Sequence, residues 1–322
     1  MKHLITGVKP TGSSIHLGNL MGAVLPFGRL AEGNDAAIFI ADLHALTSVK
    51  NGDLLRKQTH EVALNYLAAY GADTDIAIFR QSDVALIPKL NWILASVTPY
   101  SLMLRAHSFK DAEGKGAEIN MATFTYPILM AADILAYDID VVPVGKDQIQ
   151  HLEMARDIAR AFNKAYGQDV FKEPSAHVEK SVETLPGTDG RKMSKSYDNF
   201  LGVFDDEKTL KKKIGQIVTG SEGLDDPKPL DNNVYALAKV FATPERLSEM
   251  RGKFERGTGY GYGHAKADLL EILLDSLAPI RERYSALKDD SAFVEEKLRA
   301  GARKMNARIE AKMEVVSKLV GA

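Results

Sequence analysis

Three groups of residues in this chain have types and spacings that can do chemistry. The first is Gly7-Val8-Lys9-Pro10-Thr11-Gly12-Ser13-Ser14-Ile15-His16-Leu17-Gly18-Asn19. Its glycines and proline let the backbone turn sharply and approach a ligand closely. A helix opening at its end would aim N–H groups into the turn, an arrangement that favours an anion. The second group is Lys192-Met193-Ser194-Lys195-Ser196, beside Gly187 and Gly190. It reads either as an exposed basic loop or as paired cations for phosphate. The third is Asp133, which shares one helical face with Met130 and Tyr126 by its i, i+4, i+7 spacing. A carboxylate among apolar residues needs a partner. It is either a capped or salt-bridged structural Asp, or an acceptor at the floor of an apolar pocket.

The elements that must position these groups alternate. Lys2–Thr6 reads as a first strand, and Leu17, Leu20, Met21, Val24 and Leu25 recur at helical spacing after the glycine turn. Ala36–Ala41 is a second strand, ending at Asp42-Leu43-His44. Asp53 is placed to cap a helix running to Tyr70, with Gly71 as its stop. Ile76–Phe79 is a third strand, Pro88–Val97 and Thr125–Tyr137 are helices, and Ile139–Val144 is a fourth strand. Gly145-Lys146-Asp147-Gln148 then leads into a helix closed by Gly167, and Pro174–Arg191 reads as a loose connection. This alternation predicts a parallel sheet with helices on both faces, whose ligands lie beyond the carboxyl ends of the strands. From Asp206 onward the periodicity is helical throughout, around Val234–Ala242, Pro244–Phe254, Ala265–Leu287 and Ser291–Val320.

Composition narrows the functional classes. The chain has 322 residues, a hydrophobic fraction of 45% and a charged fraction of 26%, as a globular protein of two domains would. With no cysteine, disulfides, thiolate catalysis and cysteine-based zinc sites are excluded. The eight histidines include no pair at a helical metal spacing, so no protein-held metal is expected. A net charge of −2 makes the whole molecule no electrostatic match for RNA, and any nucleic-acid site must be a local basic patch. The opening residues lack the apolar core of a signal peptide and no run is long enough to span a membrane, so a cytoplasmic protein is expected.

His16-Leu17-Gly18-Asn19 resembles the HIGH signature of class I aminoacyl-tRNA synthetases, with Asn in the last place, and Lys192–Ser196 matches their second signature, KMSKS. Over nearly its whole length the chain resembles the bacterial tryptophanyl-tRNA synthetase family. The carrying segments are Gly18–Ala23, Asp42–Thr47, Thr125–Leu135, Val142–Gln148 and the KMSKS loop. The resemblance implies a Rossmann-like, doubly wound α/β domain over residues 1–205, with a helical insertion at about 84–122 and the loop 192–196. An all-α anticodon-binding domain over 206–322 completes it.

The resemblance also implies an activity and its residues: L-tryptophan is activated with ATP and Mg²⁺ to an adenylate, then transferred to tRNA(Trp). Lys192, Lys195, His16 and Asn19 are the expected catalytic residues. ATP is expected on Lys9, Pro10, Thr11, Gly18, Asn19, Gly145, Lys146, Asp147 and Val182, with Met193, Ser194 and Ser196 in the loop. Tryptophan is expected on Asp133, Tyr126, Met130, Gln148, His44 and Gly7. Chemistry agrees in one respect: indole offers one N–H donor and no acceptor, so its pocket needs one acceptor in an apolar wall. A homodimer is implied as well. Lys9 stands where many relatives have Gln, and Lys146 where many have Glu. The insertion's Lys110 and Lys115, and Lys297, Arg299, Arg303, Lys304 and Arg308 of the last helix, are possible phosphate contacts. The alternatives are a tyrosyl-tRNA synthetase, a small nucleotidyltransferase working without tRNA, and a paralogue that binds RNA without aminoacylation.

Overall fold

The computed structural model describes residues 1–12, 14–106, 109, 114, 119–145, 148–178 and 184–322. The chain forms two compact units. The first comprises Met1–Ser13, Phe27–Lys180 and Asp290–Ala322; the second comprises Ser14–Pro26 and Ser181–Asp289.

The first unit is built on a parallel sheet of five strands: β1 (His3–Val8), β2 (Asp35–Ile40), β3 (Ala77–Arg80), β4 (Val141–Pro143) and β5 (Ser175–His177). Their order is β3-β2-β1-β4-β5. The chain reverses its direction of winding between β1 and β4, and the crevice beyond their carboxyl ends is where such sheets take ligands. β2 is an interior strand between β3 and β1, and Ala36–Ile40 is apolar without alternation and buried throughout, as a strand covered on both faces should be. β5 lies inside the segment expected to be a loose connection. Ser-Ala-His carries no apolar run, so only its pairing with β4 makes it a strand. The helix Gly52–Tyr70 is capped by Asn51, whose side chain accepts from Leu54 N at 2.9 Å, and Asp53 instead pairs with Arg56.

The last helix, Ser291–Val320, corrects the expectation that everything after residue 205 packs together. It belongs to the first unit. Val294, Leu298, Met305, Ile309, Met313 and Val316 form its buried stripe. Gly301 approaches β3 so closely that a Cβ there would sit 2.3 Å from the Ile78 carbonyl oxygen. Arg80 clasps Glu295 through two bonds of 2.8 Å, and Asn306 donates to the Asp83 carbonyl at 2.9 Å. Lys304 and Arg308 both pair with Asp35, and Arg303 with Glu296. Three of the five cations considered for phosphate are therefore engaged within the chain. Helical periodicity shows which face of a helix is buried, but not what buries it.

In the second unit the helices Glu207–Gly215, Asn233–Phe241, Pro244–Arg256 and Tyr262–Lys288 bury Leu210, Ile214, Leu237, Phe254, Leu269 and Leu273. The Gly257–Gly263 turn is structural: Tyr260 donates its hydroxyl to Asp268 at 2.7 Å and its N–H to the Leu224 carbonyl at 3.1 Å. Among the described residues, no helix is long and apolar enough to cross a membrane.

Candidate active site

The two signatures meet in the second unit. Ile15–Leu17 and Leu201–Val203 run antiparallel: Leu17 N donates to Leu201 O at 2.9 Å, and Val203 N donates to Ile15 O at 3.0 Å. His16, paired with Gly202 between them, is buried. Its Nδ1 accepts the backbone N–H of Asn19 at 3.1 Å, capping the helical turn Leu17–Asn19. Burial first, then the charges of Lys195 and Lys192, lower the His16 pKa to about 4. The ring is therefore neutral near pH 7. Because Nδ1 accepts, the proton is assigned to Nε2, which is a donor. Gly18 leaves room for that ring, since a Cβ would lie a tight 3.0 Å from it.

This differs from the expected cluster of outward N–H groups at a helix mouth. The N–H groups of Leu17 and Asn19 are both taken by the protein itself. The turn Leu17–Asn19 passes at once into a π-helical turn, Leu20–Val24. The positive character around His16 thus comes from lysine side chains rather than a helix dipole.

The Lys192–Ser196 loop is held from inside by Asn199, only 2% exposed. Its Oδ1 accepts from Ser194 N at 2.8 Å, and its Nδ2 donates to Lys192 O at 3.1 Å and to Asp189 Oδ1 at 2.7 Å. Gly187 makes room for that amide: a Cβ would fall 2.3 Å from Asn199 Cγ. Met193 is buried and donates its N–H to Leu185 O at 2.9 Å, whereas Lys192, Lys195 and Ser196 are exposed. One inward Met thus anchors a loop whose cations face outward. Ser194 caps the short turn Lys195–Tyr197 by accepting from Ser196 N at 3.2 Å.

In the first unit, Asp133 is 2% exposed near the end of the helix Met121–Leu135. His44 Nε2 lies 2.9 Å from its Oδ2, and Gln81 Nε2 donates to Oδ1 at 2.9 Å and Oδ2 at 2.8 Å. Burial raises the pKa of the Asp133 carboxyl, and the bonds from His44 and Gln81 oppose that rise. The Tyr126 ring meets the His44 ring edge-on at 4.5 Å. Lys9 Nζ donates to Thr47 Oγ1 at 3.0 Å, and Thr47 Oγ1 donates to the His44 carbonyl at 2.9 Å. Gly7, next to last in β1, lies against the Phe39 ring, where a Cβ would lie 2.4 Å from Cζ. Met130 is half-buried, and Gln148 N donates to Gly145 O at 3.0 Å beyond β4.

The expected residues therefore fall into two sets. His16, Gly18, Asn19, Lys192, Met193, Ser194, Lys195 and Ser196 gather in the second unit, while Asp133, His44 and Tyr126 gather in the first. Lys146, Asp147, Val182, Lys110 and Lys115 lie outside the described residues. Gln81 and Asn199 were not anticipated. Gln81 had a readable signal, a polar residue directly after an apolar strand, like Asp42 after β2. Asn199 had none, because its importance lies in burial that the surrounding polar sequence does not announce.

Comparison with known proteins bears on this arrangement. Residues 2–271 match the family described as tRNA synthetases class I (W and Y). The tryptophan–tRNA ligase of Fusobacterium nucleatum is 41% identical over 321 residues, covering 100% of this chain and 98% of that protein. That of Rhodopirellula baltica is 42% identical over 303 residues, covering 94% and 93%. The crystal structure of a Campylobacter jejuni tryptophanyl-tRNA synthetase complexed with ADP and tryptophan superposes with a TM-score of 0.95 at 40% identity, covering 99% of this chain and 100% of that one.

Proposed function

We infer that this chain, which belongs to the class I tRNA synthetases specific for tryptophan and tyrosine, activates L-tryptophan with ATP and transfers it to tRNA(Trp), releasing AMP and diphosphate. The observation that carries the amino-acid choice is Asp133. Its carboxylate is buried and, among the described residues, its side-chain partners are donors, so it serves as an acceptor. Indole supplies the matching single N–H. Phenylalanine leaves that acceptor unpaired, a far larger penalty than a misfit of shape. Met130 lines the apolar wall, and Tyr126, Gln148, His44 and Gly7 complete the tryptophan site.

The chemistry needs no general base, because the tryptophan carboxylate is already a nucleophile at neutral pH. It attacks the α-phosphorus of ATP in line; the new C–O–P linkage forms as the bond to diphosphate breaks. Catalysis is then positioning together with stabilisation of phosphate charge. Lys192 and Lys195 supply cations to the leaving diphosphate. Nε2–H of His16 donates to a phosphate oxygen, and Asn19 holds the same group. Met193, Ser194 and Ser196 shape the loop, and Gly18 admits the nucleotide. Lys9, Pro10, Thr11 and Gly145, with Lys146, Asp147 and Val182, hold the rest of ATP as the family resemblance implies. In the second step the 3′-terminal adenosine of the tRNA attacks the adenylate carbonyl and AMP leaves.

Mg²⁺ enters with ATP as part of the substrate, held by phosphates and water. The donor set fits that role: the phosphate-side residues His16, Asn19, Lys192 and Lys195 include no carboxylate, and the described residues contain no cluster of metal-binding side chains. Anticodon reading is proposed for the helical region 206–322, whose last helix packs within the first unit. A homodimer is supported by three large apolar side chains in the first unit, Trp92 (78% exposed), Met121 (70%) and Tyr100 (68%). Trp92 is the one tryptophan of the chain. Dilution in the absence of free tryptophan should red-shift its emission as the dimer separates.

Charging of tRNA(Trp) with labelled tryptophan tests the whole reaction. The expected result is ATP-dependent acylation with tryptophan and none with tyrosine. Adenylate formation without transfer to tRNA would reject the second half of the reading.

A further inference from the structure

We propose that Gln81, held by an Asp42–Ser82 clasp, is the positioning residue for amino-acid selection: it orients Asp133 so that one acceptor site remains for a ring N–H. This rests on the reading of Asp133 as the indole partner. Gln81 opens the short turn Gln81–Asp83 directly after β3 and is 1% exposed. Its Nε2 lies within hydrogen-bond distance of both Asp133 oxygens, which share the hydrogen aimed between them, and its Oε1 takes the His44 backbone N–H at 3.4 Å. The opposite amide orientation would set oxygen against both carboxylate oxygens and NH₂ against an N–H, so the assignment is unambiguous. The adjoining residue fixes the turn. Ser82 donates its N–H to Asp42 Oδ1 at 3.0 Å and its hydroxyl to Asp42 Oδ2 at 2.5 Å, while Asp42 Oδ1 also takes the Leu43 N–H at 2.9 Å. Asp42 opens the helical turn Asp42–Ala45 after β2. The ends of two neighbouring strands are thus stapled together, and each contributes one side chain to Asp133.

The acceptor count follows. A carboxylate offers about four lone-pair directions. His44 Nε2 and Gln81 take two on Oδ2, and Gln81 takes one on Oδ1. His44 Nδ1 is buried with no hydrogen-bond partner among the described residues, so the His44 proton belongs on Nε2 and Asp133 faces donors only. Among the described residues, one site on Oδ1 is left. The titratable groups around Asp133 are His44, Asp42 and Tyr137; the Tyr137 phenol is itself raised by burial and by the Asp133 charge. Against burial, the Gln81 amide supplies a neutral donor that favours the carboxylate form.

The test is tryptophan-dependent exchange of diphosphate into ATP by the full-length chain, with Gln81→Met, Ser82→Ala and Asp133→Asn, between pH 6 and 8.5. Gln81→Met should raise the tryptophan KM at least tenfold while the ATP KM stays within twofold. Its tryptophan KM should also climb more steeply than the wild type's as pH falls, because an Asp133 stripped of the Gln81 amide takes up a proton at higher pH. Ser82→Ala, which keeps the backbone bond to Asp42, should shift the tryptophan KM the same way by about threefold, and it decides the matter if Gln81→Met does not fold. A tryptophan KM and pH profile unchanged in the folded variants, with Asp133→Asn impaired, would overturn the positioning role alone. An unimpaired Asp133→Asn would overturn the underlying reading of Asp133.

Discussion

His16 accepts the backbone N–H of Asn19 through Nδ1 at 3.1 Å, which commits its remaining ring proton to Nε2. One side chain thereby closes a helical turn and presents a neutral donor beside Lys195 and Lys192, whose charges reach it. The two duties separate by mutation. His16→Asn keeps a capping oxygen but is too short to place a donor where Nε2 stands. Its melting temperature should stay within a few degrees of the wild type's, while the exchange rate falls on the order of 100-fold. Equal losses in both would mean that the ring is structural only.

The same residue sets a pH dependence of stability. Its folded pKa, about 4, lies below the ordinary 6.5, so between those values the unfolded chain binds more protons than the folded one. Stability from this residue is complete above pH 6.5 and is lost as pH falls toward 4. Between pH 7 and pH 5 the wild type should lose about 2 kcal/mol that the His16→Asn variant does not lose. Urea unfolding of both proteins at the two pH values measures the difference.

Lys195 is exposed on a loop whose anchors are Met193 and Asn199. Removing its ammonium group should therefore leave the fold intact, within about 0.5 kcal/mol. Lys195→Ala should lower the exchange kcat by roughly 10² to 10³, with the tryptophan KM little changed, because its charge acts on phosphate. Steady-state kinetics with each substrate varied in turn resolves the two effects.

Asn199 should behave in the opposite manner, as a buried residue felt by both stability and rate. Asn199→Ala strips partners from Ser194 N, Lys192 O and Asp189, at a cost of about 2 kcal/mol. Gly187→Ala should reproduce the defect with Asn199 intact, since its Cβ would collide with Asn199 at 2.3 Å. Chemical denaturation gives the stability and exchange gives the rate. A Gly187→Ala protein of normal stability would contradict this packing.

Much of this architecture was legible because it is local. The apolar run of β2, the stop at Gly71 and the spacing of Tyr126, Met130 and Asp133 are each set by neighbours in sequence. Asp133 could be singled out as a costly buried carboxylate, but not matched to Gln81, which is 52 residues away. β5 and the packing of the last helix on β3 depend on partners distant in sequence, so periodicity alone missed the first and misassigned the second. The helix mouth at His16 was misread for a related reason: the acceptor for Leu17 N is Leu201, whose position no local pattern encodes.

The central claim is that a class I adenylation site selects its amino acid through Asp133. The most direct measurement is exchange of labelled diphosphate into ATP with tryptophan, tyrosine and phenylalanine in parallel, for the wild type and Asp133→Asn. The account predicts strong exchange with tryptophan alone for the wild type. It also predicts a tryptophan KM raised by 10-fold or more in the variant, with the ATP KM nearly unchanged. Exchange with tyrosine at a comparable rate, or a variant that still discriminates as the wild type does, would contradict it.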